Sequence, residues 1–71
     1  MKIYTVKLPI CNDFIIYKWL FENIGKGVVE NVNAWADPDL KWSKWDHRGH
    51  YYTYFEFRNE QDATLFSLRW A

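Results

Sequence analysis

The chain has 71 residues, room for one domain, 1–71, and no second. Nine Lys and Arg balance nine Asp and Glu, which removes the basic field that generic binding to nucleic acid or an anionic membrane requires. Fifteen Trp, Tyr and Phe stand against fourteen Leu, Ile and Val in a sequence that is 49% apolar. That excludes a disordered or low-complexity chain and predicts more aromatic surface than so small a fold can hide.

In chain order, residues 2–8, Lys-Ile-Tyr-Thr-Val-Lys-Leu, are β-branched and aromatic and stop at Pro9. They predict a first strand. Asn12 or Asp13 is placed to cap the helix that follows, and Gly25 and Gly27 supply stop signals after Ile24. At 100° per residue Phe14, Ile16, Tyr17, Leu20, Phe21 and Ile24 form one apolar arc, with Lys18 and Glu22 opposite. Ile15 and Trp19 form a second apolar pair outside it. An extended region is predicted from Val28 to about Ala36, bent at Asp37-Pro38-Asp39 and resumed from Lys41 to Trp45. Its lysines suit an edge strand.

A turn at His47-Arg48-Gly49 leads into a strand from His50 to Arg58. Alternation there puts Tyr51, Thr53, Phe55 and Phe57 on a core face, and His50, Tyr52, Tyr54, Glu56 and Arg58 on the other. Tyr52 and Tyr54 then have Trp42 or Trp45 as cross-strand partners. Asn59 caps a last helix, with Asp62 in its first turn. On that helix Ala63, Phe66 and Trp70 share one face, and Leu65 and Leu68 lie nearly opposite. The fold class expected is α+β in the order β-α-β-β-α. It amounts to a truncated ferredoxin-like, split βαβ unit: a three-stranded sheet with two helices on one face and an open edge.

The chemistry-bearing residues are sparse. Cys11 is the only cysteine, so no internal disulfide forms and a reducing, cytoplasmic setting is expected. Lys2, Lys7 and Pro9 interrupt any secretory leader, and Phe14 to Phe21 is too short to span a bilayer. Asp46, His47 and His50 surround a glycine turn without a cysteine pair, so no metal site is expected. Gly25-Lys26-Gly27 follows a helix instead of opening one, which excludes a phosphate loop. No catalytic group and no cofactor are expected. The sequence points instead to protein binding through Ile15, Trp19, Leu65 and Leu68, with a homodimer or a host protein as partner.

Two resemblances add to this reading. His50-Tyr51-Tyr52-Thr53-Tyr54-Phe55-Glu56-Phe57 is similar to the aromatic octamer of RNA-recognition motifs, and Ile3-Tyr4-Thr5-Val6-Lys7-Leu8 resembles their shorter strand motif. The departures are Tyr51 for a glycine, Thr53 for a small residue, His50 for a basic residue, and no fourth strand. That resemblance implies base stacking on Tyr4, Tyr52 and Tyr54. Trp42, Lys44, Trp45, His50 and Arg58 complete this alternative, single-stranded nucleic-acid surface. The second resemblance covers about the last quarter of the chain. Phe55-Glu56-Phe57 followed by Asp62-Ala63-Thr64-Leu65-Phe66-Ser67-Leu68-Arg69-Trp70 resembles the ending of small proteins of tailed, especially marine, phages. It implies a viral accessory protein that acts by binding, in the cytoplasm of a host cell.

Overall fold

The computed structural model describes residues 2–9, 14–29, 37–46 and 52–71, with Asp46 described by its backbone alone. The elements are β1 (Tyr4–Pro9), α1 (Phe14–Asn23), β2 (Gly27–Val29), β3 (Trp42–Asp46), β4 (Tyr52–Phe57) and α2 (Glu60–Trp70). Cys11, the Asn12/Asp13 cap, the extended reading of residues 30–36, and the turn from His47 through His50 lie outside the described residues.

The class is α+β, but the sheet has four strands where three were expected, in the order β1-β4-β3-β2. β4 pairs antiparallel with both β1 and β3, while β2 pairs parallel with β3. The segment read as one strand from Val28, resumed at Lys41, is therefore two strands. Parallel neighbours require the chain to travel back before it pairs, which takes a dozen or more residues. Twelve residues lie between Val29 and Trp42. β3 is consequently an interior strand, not the lysine-blunted edge. Among the described residues the two edges are β2 and β1, and β4 occupies the centre beside β3. Two strands thus separate β1 from β2, so the truncated ferredoxin-like order does not hold.

One sheet face carries the core. Register places Tyr4, Val6 and Leu8 of β1 beside Phe57, Phe55 and Thr53 of β4, which in turn face Trp42, Lys44 and Asp46 of β3. Both helices cover this face: Ile16 and Leu20 from α1, and Ala63 and Phe66 from α2, join Leu8, Trp42, Phe55 and Phe57 in one buried cluster. The alternation expected for β4 holds, with Thr53, Phe55 and Phe57 buried and Tyr52 exposed. Phe66 is the hub on α2. Its ring lies 4.7 Å from Phe55 and 5.2 Å from Phe57.

α2 begins as its sequence predicts. Asn59 is extended (φ −117°, ψ 130°), and its side-chain oxygen accepts the Gln61 N–H at 2.8 Å. α1 ends where Gly25 adopts φ 130° and donates its N–H to the Leu20 carbonyl at 3.0 Å. The next glycine has a different task. The Trp42 indole packs directly against Gly27, and a side-chain carbon there would overlap its ring atoms. The same indole donates Nε1–H to the Gly25 carbonyl at 2.9 Å and meets the Phe21 ring edge-on at 5.2 Å. The Gly25-Lys26-Gly27 segment is thus folded around a tryptophan.

Candidate functional site

The helix residues singled out by sequence separate into two groups. Trp19 is not beyond the core arc. It sits in the seam between the helices, its ring 6.1 Å from Phe66 and 6.3 Å from Trp70. A helix that touches both a sheet and a second helix buries a wider arc than a helix on a sheet alone. The converse correction concerns Phe14 and Phe21, assigned to the main arc yet 75% and 53% exposed. Ile15, Leu65 and Leu68 are exposed as expected, Leu68 to 81%.

Leu68 and Leu65 border adjoining hollows along the edge of the sheet. One runs between β1 and α2 and is lined by Tyr4, Val6, Ala63, Thr64, Ser67 and Leu68 among others. The other lies over the outer side of α2, between Gln61, Thr64, Leu65 and Leu68. Thr64, Leu68 and Glu60 line both, and among the described residues Glu60 is the only charged one in either lining. Ile15 lines neither.

The placement follows from helix geometry: with Phe66 turned onto β4, Ala63 and Ser67, about 60° and 100° round the helix from it, face β1, and Thr64 and Leu68, farther round still, form the outer rim of the groove. Among the described residues β1 pairs on one side only, so its other side presents backbone N–H and C=O groups without a ladder. Lys7 and Pro9 blunt this edge only in part. The Lys7 ammonium is drawn over the Tyr52 ring at 4.3 Å, on the face away from the helices. Pro9 is the final residue of the strand.

The nucleic-acid constellation is not assembled on one face. Tyr4 pairs with Phe57 and packs against the core cluster, on the face opposite Tyr52 and Tyr54. Trp42 is 0% exposed and Lys44 1%, both beneath the helices. Lys44 directs its ammonium toward the Tyr17 ring, 5.8 Å from its centre. Trp45, Tyr52 and Tyr54 do share the face away from the helices. There Trp45 and Tyr54 stack on each other at 4.6 Å and 20°, the cross-strand partnership that the sequence allowed. Arg58 reaches back to the turn before β3, donating to the Pro38 and Asp37 carbonyls at 3.2 and 3.0 Å. His50 lies outside the described residues.

Electrostatic features are few. Asp37 accepts the Asp39 N–H at 2.9 Å and pairs with Lys26 at 3.2 Å. The Asp39 hydrogen bond, then the Lys26 ammonium, hold its carboxyl below the usual value. Burial raises that of Asp62, against the pull of Lys41. Among the described residues no three His, Cys, Asp or Glu gather as metal ligands. None of their helices is long and apolar enough to cross a membrane.

Sequence reasoning missed the β1 groove because it argued from each helix separately. The alternation of β1 itself was a usable signal, since Tyr4, Val6 and Leu8 form its more apolar set. No protein-family model, curated protein or solved structure matches the chain.

Proposed function

We propose that the chain is a protein-interaction module that takes an extended segment of a partner chain along β1. The segment adds a fifth strand through main-chain hydrogen bonds and lays alternate apolar side chains into the groove beneath α2. One observation carries the reading. Among the described residues an edge strand is left unpaired next to a groove whose outer wall is Leu68, an apolar side chain 81% exposed. A solvated leucine at such a place costs nothing in the folded chain, but when covered contributes about 1.5–3 kcal/mol. The balanced charge agrees with a partner recognised by shape and backbone pairing instead of by long-range attraction. The resemblance of the C-terminal segment to small tailed-phage proteins accords with an accessory role exercised by binding.

Peptides selected from a display library against the immobilised protein test this. The expected winners alternate apolar and polar residues, protect the β1 amides from hydrogen exchange, and lose at least about tenfold in affinity on Leu68→Glu. Peptides that leave β1 exchange unchanged would refute strand addition. So would oligonucleotide binding that quenches Trp45 fluorescence while β1 exchange is unaffected, since it would move the function to the opposite sheet face.

A further inference from the structure

We infer that the segment seated on β1 is β1 of a second copy of this chain, the two strands running antiparallel about a two-fold axis through Val6. The inference rests on the strand-addition reading above and names its partner.

The strand is self-complementary in one register. Centred on Val6, the pairing sets Val6 against Val6, Tyr4 against Leu8, and Thr5 against Lys7 of the other copy, so no like charges meet. On the covered face, the apolar set Tyr4, Val6 and Leu8 continues across the axis onto its own counterpart. Centring on Lys7 instead would put two ammonium groups face to face. A formal net charge of zero leaves no general repulsion between copies.

The helices fit the same operator. α2 seats on both β1 and β4, its Phe66 ring on Phe55 and Phe57. Strands are spaced by about 4.8 Å. A helix over the midline of β1 and β4 therefore lies about 5 Å from the axis, and the two copies of α2 about 10 Å apart. That is the packing distance of two helices in contact. Ala63 and Ser67, which line the groove on the side toward β1, then face the same residues of the other copy, with Thr64 and Leu68 at the outer rim of that contact. The result is one eight-stranded sheet with a continuous helical layer, closed by an isologous contact.

Light scattering across a concentration series, together with cysteine cross-linking in a Cys11→Ser background, tests the pairing. Thr5→Cys and Lys7→Cys variants are oxidised separately and as a mixture. The expected results are twice the monomer mass at micromolar protein, and disulfide-linked dimers from the mixture alone. Directly opposed residues fall within bridging distance, while Thr5 and its own counterpart are diagonal and fall beyond it. Leu68→Glu, on an exposed position, is expected to keep the circular dichroism of the parent and to weaken dimerisation at least about tenfold.

A monomer at all concentrations that still binds selected peptides along β1 would overturn the second copy and leave strand addition standing. A monomer without any β1-directed binding would overturn both. Cross-links that form equally in each variant alone would refute the register.

Discussion

Replacing Gly27 by alanine tests whether the Trp42 wedge governs the β2 end of the sheet. The backbone at Gly27 is not in the left-handed region, so alanine is disfavoured there by space alone. Its methyl would overlap Cε2, Cδ2 and Nε1 of the indole. Carbon atoms in contact sit about 3.5–4.0 Å apart, so the ring must move by more than about 1 Å. Trp42 is fully buried, held edge-on by Phe21 and tied to the Gly25 carbonyl. Overpacking of this kind costs about 1–3 kcal/mol, and loss of the indole hydrogen bond about 0.5–1.5 kcal/mol. The smaller entropy of an unfolded alanine returns about 0.4–1 kcal/mol.

The net expectation is a loss of about 2–3 kcal/mol, or a fall in Tm of about 10–20 °C for a domain of this size. Urea and thermal denaturation followed by far-ultraviolet circular dichroism measure it. Trp42→Leu supplies the control. In that background Gly27→Ala should cost less than about 0.5 kcal/mol, giving a coupling of at least about 1 kcal/mol between the two sites. A Gly27→Ala protein as stable as the parent, or one equally destabilised with and without the indole, would refute the wedge.

Asn59→Ala removes the cap of α2 and should cost about 0.5–2 kcal/mol in denaturant titration, with Asn59→Asp restoring most of it. An unchanged midpoint for Asn59→Ala would show that the Gln61 hydrogen bond contributes nothing. Asp37 has its folded pKa depressed below 3.8, so its contribution is fully present above 3.8 and is lost as pH falls through the folded value. Its carboxyl resonance should titrate below 3.8, and Asp37→Asn should flatten the acid limb of the stability curve. A midpoint at or above 3.8 would contradict the turn geometry around Asp39 and Lys26.

Local rules located most of what depends on near neighbours. The alternation of β4, the arc of Ile16 and Leu20, the Asn59 cap and the Ala63–Phe66–Trp70 face were all readable, because each is set by residues a few positions apart. Strand partnership was not. Whether Val28 and Trp42 share one strand or lie on two parallel ones depends on the path of the twelve residues between them, and no short-range pattern encodes that path. Lys44 misled for a related reason. A lysine between two tryptophans reads as a surface residue, yet pairing with Phe55 carries it under the helices, its ammonium turned toward Tyr17. Trp19 was misread because the extent of a buried arc depends on a neighbour, α2, whose position the α1 sequence does not contain. At the candidate site, Leu65 and Leu68 were found by periodicity. The groove that makes Leu68 a neighbour of β1 was not, since it exists only once β1 lies at the sheet margin.

The central position of β4 has a consequence for how the chain assembles. β3 pairs with β4, and α2 follows β4 in sequence and packs on it, so these neighbours can gather early at little cost in loop closure. β1 must find β4 from the far end of the polypeptide, Tyr4 meeting Phe57, and among the described residues it is held on one side only. The strand offered to a partner is thus the one whose attachment is entropically most expensive. Anything that pairs with its free side would act as a splint, slowing the opening of the N-terminal strand and so protecting the whole sheet from unfolding and proteolysis.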